Sequence, residues 1–227
     1  MCGRFALTLP RDAARAHFSA APTEAAAALP DAPRYNICPT QPVAAIRLDA
    51  EGRRALDALR WGFIPPWAKT PSDGPLLINA RAETLHEKPA FREACRRTRC
   101  LIPATGFFEW RADAGRGKEP WFIRPAQADL MAFAGVWTVW SGPDGPVASC
   151  AIVTCAANAA LAPIHHRMPV IVPPADYGLW LGEEGKGAAT LMKPAPEGFL
   201  AMHRVDRAVN AARHDAPELI EPIDAEA

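Results

Sequence analysis

The chain opens Met1-Cys2-Gly3-Arg4-Phe5, and Cys2 has the most distinctive chemical prospect in it. Cysteine is small enough for an aminopeptidase to remove Met1, which would leave an α-amine and a thiol on adjacent carbons. The amine titrates near about 7.7–8.0 and a free thiol near about 8.5, so both are within reach at cellular pH. Both can add to one aldehyde carbon: the amine gives an imine, the thiol closes on it, and a five-membered thiazolidine results. An N-terminal cysteine therefore reads as a nucleophile for carbonyl chemistry or acyl transfer. Alone it says little, because reactivity follows surroundings rather than presence. Gly3 lets backbone approach a ligand closely, and Arg4 offers a fork for phosphate or carboxylate.

Other polar residues sit in apolar or aromatic surroundings. Glu109, in Gly106-Phe107-Phe108-Glu109-Trp110, is a candidate for a raised pKa and general acid/base work. Strand alternation gives the competing expectation, with Phe108 and Trp110 inward and Phe107 and Glu109 in solvent. His165 and His166 precede Arg167-Met168-Pro169 and suit proton shuttling. Asn79 can orient a substrate through its amide or close a turn. Arg4, Arg81 and Arg167 can fix phosphates, and Trp67, behind two prolines, can stack on a base or wedge beside one. Together these point to a carbonyl-bearing substrate attached to a phosphate backbone.

The elements that must position them are mostly strands. Residues 1–9 read as a strand and Pro10 opens a short helix, followed by an Ala/Pro-rich connector over 19–33. Residues 34–48 read as an irregular segment leading into a strand, the turn Asp49-Ala50-Glu51-Gly52 returns the chain into a second strand over 53–63 as a hairpin, and Ile64-Pro65-Pro66-Trp67 interrupts regular structure. Residues 79–85 read as extended or irregular, and 87–97 as a helix with a basic solvent face. From Arg99 onward strand follows strand, including 130–140 and 147–157 around a Gly-Pro-Asp-Gly turn, and 167–173. Helical pieces at 175–182 and 187–193 precede a last strand near 199–206. Residues 214–227 form an acidic tail expected to fray.

Length fits one domain, and 25 basic against 25 acidic residues exclude a global field for nucleic acid, leaving only local patches. No apolar run reaches a membrane span, and the start lacks a secretory layout, which reads as a soluble cytoplasmic protein. The pairs Cys95/Cys100 and Cys150/Cys155 invite a zinc reading. Cys150 and Cys155, however, lie in an apolar strand where five-residue spacing puts them on opposite faces, so buried thiols, no metal and no cofactor are expected.

Seven segments in order resemble the SOS-response-associated peptidase (SRAP) family: MCGRF, RYNICPTQ, RWGFIPPWAK, INARAET, FREACRRTRCLIPATGFFEW, FAGVW and IHHRMPVIV. The resemblance runs from Cys2 to about Asn210. It implies an α+β fold, one domain over 1–213 with a β-barrel-like antiparallel core and peripheral short helices. It also implies covalent capture of abasic sites in single-stranded DNA through a thiazolidine on the mature N-terminal cysteine. In that picture Cys2 is the nucleophile, Asn79 holds the reacting group, and Glu109 helps open the sugar ring and manages the amine's proton. His165 assists imine chemistry and crosslink reversal, Arg4, Arg81 and Arg167 grip the DNA backbone, and Trp67 blocks the duplex path. It further implies a monomer, nucleoid-associated when on DNA, with replication-fork proteins as candidate partners. Two other readings use the same residues: a Cys2-dependent (auto)peptidase, and a non-catalytic reader of modified bases.

Overall fold

A computed structural model describes residues 2–113, 115 and 117–223. In chain order the first strands are β1 (Phe5–Leu7), β2 (Ala21–Pro22), β3 (Arg34–Ile37), β4 (Pro42–Leu48), β5 (Arg54–Trp61), β6 (Asn79–Arg81) and β7 (Arg99–Ala104). Then come β8 (Gly106–Asp113), β9 (Gly117–Pro125), β10 (Met131–Gly142), β11 (Gly145–Ala156), β12 (Arg167–Pro169), β13 (Ile171–Val172) and β14 (Leu200–Arg204). Three short helices, α1 (Arg11–His17), α2 (Arg92–Arg97) and α3 (Tyr177–Leu181), lie outside the sheets.

Five strands close on themselves in the order β5-β4-β7-β10-β11, and β11 returns to β5. Four of these junctions are antiparallel. An odd ring cannot alternate direction all the way round, so the closing pair must be parallel, and Ser149↔Arg60 and Cys150↔Trp61 are. Closure removes the exposed edges that an open sheet would carry. A barrel this small is filled by side chains. Trp61, Ile46, Leu56, Leu59, Leu101 and Phe133 are fully buried in the central cluster.

The second sheet, β14-β9-β8-β1-β3, lies against this barrel. Edge-on aromatic contacts join the two: Phe5 meets Trp61 at 5.1 Å and Phe133 at 5.8 Å, and Phe107 meets Phe133 at 5.9 Å. Its outer face carries a separate small core of Ala6, Phe108, Phe122, Val205, Val209 and Leu219. Gly106 starts β8 where a Cβ would fall 2.1 Å from the Phe122 ring, so this close approach needs glycine.

Several sequence expectations change in detail. The connector over 19–33 is built rather than loose: β2 pairs with β5, and Thr23 caps a 3-10 turn over Glu24–Ala28 that buries Ala26. The single strand expected over 167–173 is two. β12 pairs with β11 and β13 with β10, while Val170 bonds Val153 O and Ala134 N at 2.8 Å each. The helix over 87–97 is regular only from Arg92. Residues 214–223, set apart in the sequence as a fraying tail, pack on the domain. Asp215 accepts from Asn36 N at 3.0 Å and Leu219 is fully buried; Asp224 onward lies outside the described residues. No described helix is long and apolar enough to cross a membrane.

Candidate active site

Glu109 decides how β8 is read. Simple alternation would place it in solvent with Phe107, yet Phe107, Phe108 and Glu109 are all buried, Glu109 to 2 % exposure. The reason is that both faces of β8 are covered. Phe108 enters the outer core, while Phe107 and Glu109 face the barrel side. Burial raises the Glu109 carboxyl above the usual carboxylate range, against the Trp110 N–H and the charge of His166, which favour its ionised form.

β1 brings the chain start to this carboxyl. Phe5 is opposite Phe107 and Phe108 N donates to Arg4 O at 3.0 Å, so the residues preceding Phe5 run alongside Glu109. Cys2 is fully buried. Its Sγ lies 3.9 Å from Arg4 O, and burial, reinforced by the charge of Glu109, pushes the thiol pKa well up. Asn79 arrives from β6, paired in parallel to β11 at Ile152, and its Nδ2 donates to Cys2 O at 2.9 Å. Among the described residues Asn79 Oδ1 is buried with no hydrogen-bond partner, a costly state for an amide oxygen and one that invites a donor.

His165 comes from the turn before β12. Its Nδ1 lies 3.9 Å from Glu109 Oε1, and Arg167 N–H donates to the same nitrogen at 3.0 Å. The Arg167 carbonyl is 3.1 Å away as well. A neutral ring with its proton on Nε2 accepts from the N–H; a protonated ring turns Nδ1 into a donor toward the carbonyl. Burial lowers the His165 pKa, and the charges of Lys118 and Arg167 act the same way, so the neutral form prevails near pH 7. His166 stacks on it with ring centroids 4.4 Å apart; it is His165 that lines the pocket with Glu109.

The three expected arginines differ. Arg81 is exposed on β6. Arg4 donates through Nη1 to Asn36 Oδ1 at 2.9 Å and Val209 O at 2.8 Å. Arg167 holds Glu83 through both Nη atoms at 2.6 and 2.9 Å and also donates to Thr154 O at 2.6 Å. In this state Arg4 and Arg167 fasten elements together. Trp67 is 62 % exposed, and the carbonyl of the next residue, Ala68, accepts from Trp140 Nε1 at 2.7 Å, which ties its loop to the β10–β11 hairpin.

Glu109 and His165 open into a pocket of about 570 Å³ completed by Trp110, Gly117, Lys118, Arg207 and Asn210. The last four were not singled out in sequence, because they converge only through the β9–β14 pairing. Asn36, inside RYNICPTQ, was also passed over. It is 2 % exposed and donates to the carbonyls of Val209, Ala211 and His214, stitching the C-terminal segment to β3.

Residues 1–212 match the family described as SOS response associated peptidase (SRAP). The chain is 38 % identical over 228 residues to "Abasic site processing protein YoqW" of Bacillus subtilis, covering 97 % of this chain and 99 % of that one. Similarity to "Abasic site processing protein YedK" of Escherichia coli is 30 % over 231 residues, with 98 % and 100 % covered. A crystal structure of a protein from Bacteroides thetaiotaomicron superposes with a TM-score of 0.85 at 23 % identity, over 98 % of this chain and 100 % of that one, a likeness of fold.

Proposed function

This chain belongs to the SOS response associated peptidase family, and on that footing we propose that it processes abasic sites in single-stranded DNA by capturing them covalently on Cys2. The observation that carries the reading is the convergence at one point of Cys2, Asn79, Glu109 and His165, with the Asn79 amide on the Cys2 carbonyl. Relatives named for abasic-site processing supply the substrate class.

An abasic sugar is mostly a closed hemiacetal. Opening it needs a proton delivered to the ring oxygen and one withdrawn from the C1′ hydroxyl. A carboxyl with a raised pKa beside a neutral imidazole meets both needs. Once Met1 is removed, the Cys2 amine adds to the aldehyde carbon, and loss of water gives the imine. The thiol then adds across the imine, its proton passing to the nitrogen, and the thiazolidine is complete with one water released overall. The buried thiol has a raised pKa, so it is a poor first nucleophile; the amine acts first and the sulfur closes on an already electrophilic carbon. Asn79 Oδ1 is an acceptor for the amine or a sugar hydroxyl. Ring closure consumes the imine that would otherwise promote strand cleavage by elimination. Positioning dominates the rate, because both nucleophiles ride on one residue.

The test is a denaturing gel of Met1-processed protein with an oligonucleotide bearing one abasic site. A heat-stable shifted band with single strand, absent for Cys2→Ala, with an intact mass equal to protein plus DNA less one water, is expected. No band from protein whose N-terminus is verified as Cys2 overturns the reading.

A further inference from the structure

Beyond Glu109 and His165 the pocket is basic. Lys118 lies on β9 and Arg207 on the 3-10 turn that follows β14. β14 pairs with β9 as far as Arg204↔Trp121, and Val205 N bonds Pro120 O at 3.1 Å, so the turn that carries Arg207 leaves directly from the strand beside β9. Both cations line the one pocket that Glu109 and His165 open into. Arg111 and Arg204 stand beside them, and both hold Glu119, at 2.7 and 3.3 Å.

The third wall is equally specific. Trp110 Nε1 donates to Asn210 Oδ1 at 2.8 Å. An indole N–H only donates, so the facing amide atom must be the oxygen, and the Asn210 NH2 group remains as a donor for another partner. Asn210 thus adds an N–H donor to the two cations that line the pocket.

We infer that Lys118, Arg207 and the Asn210 amide form a subsite for one backbone phosphate flanking the captured sugar. This rests on the function proposed above and adds to it the residues that set the lesion's register. Phosphate contacts position a nucleic acid without reading its sequence, which suits a protein that selects its substrate by an aldehyde. Lys118, Arg207 and Asn210 line the same pocket as Glu109 and His165, so a phosphate held by them lies beside the acid/base pair.

The experiment uses a single-stranded oligonucleotide with a tetrahydrofuran abasic analogue, which has no aldehyde and reports non-covalent binding only. Lys118→Ala and Arg207→Ala are expected to weaken binding by about threefold each and the double variant by about tenfold, with a salt slope shallower by about 0.7 per lost contact. Replacing one flanking linkage by an uncharged methylphosphonate should weaken wild type and leave the double variant unchanged. Equal affinity and salt slope for wild type and double variant, or an equal response of both to each methylphosphonate, overturns the subsite. Thermal melting verifies that the variants fold. Crosslinking at saturating true abasic oligonucleotide separates the two claims. Absence of adduct in wild type defeats the capture reading, while the analogue affinities decide the subsite independently.

Discussion

The closed barrel and the sheet laid against it are built on opposite terms. In the barrel the strands face one another around an interior of Trp61, Phe133 and aliphatic side chains, and stability and shape are one matter. In the second sheet β8 is covered twice, by the barrel on one side and on the other by the small core of Phe108, Phe122, Val205, Val209 and Leu219. That second cover lets a carboxylate be buried at Glu109 while its strand remains held, because the apolar anchoring is supplied by Phe108 on the opposite face. The barrel fixes where the site is; the outer core fixes how firmly its wall stands.

Four substitutions test that division. Trp61→Ala removes a fully buried ring and its Nε1 bond to Ile78 O, and should cost about 3–5 kcal/mol of stability, read as a lower urea midpoint. A small shift would show that the barrel does not carry the fold.

Glu109→Gln should slow adduct formation by about 10²–10⁴-fold in single-turnover assays while leaving the fold intact. The variant also checks the carboxyl's environment. A folded pKa above the unfolded one means that stability is fullest below the unfolded value and is lost as pH rises through the folded one. Wild type should therefore lose stability over that window and Glu109→Gln should not. Parallel pH profiles would mean that Glu109 is not held as described.

Leu219→Ala, in the outer core, should cost about 2–3 kcal/mol and slow capture at the same time, because Val209 and Asn210 are fixed by that cluster. Loss of stability with unchanged capture would separate the outer core from the site. Asn36→Ala should have the smallest effect, about 1–3 kcal/mol, by removing the amide N–H bonds to the carbonyls of Val209, Ala211 and His214 and depriving Arg4 of Asn36 Oδ1, although Val209 O keeps Arg4 and Ala211 O keeps the His214 N–H. Its signature is earlier proteolysis or faster amide exchange in 209–214 than in the barrel.

Much was legible in the chain itself. The two-residue turn Pro143-Asp144 between β10 and β11, the interruption at Pro65-Pro66, and the alternating runs that became β4, β5, β10 and β11 all follow from local chemistry. Cys2, Asn79, Glu109 and His165 were each nameable because their surroundings in sequence are unusual for their types. Lys118, Arg207 and Asn210 were not, because nothing local marks a lysine after a glycine turn or an arginine after a strand.

What the sequence determined by itself was the inventory: a cysteine at position 2, an acid among aromatics, a histidine pair and a strand-rich domain. Those follow from residue types and short-range pattern. Tertiary structure alone decided which face of β8 is buried, since alternation says that neighbours diverge but not that both sides will be covered. It also decided that Arg4 and Arg167 clasp the protein's own carbonyls and Glu83, and that Lys118 and Arg207 line one pocket with Glu109 and His165. Those outcomes depend on pairings between strands distant in sequence, such as Phe5↔Phe107 and Arg204↔Trp121, and such pairings are set by the packing of the whole chain.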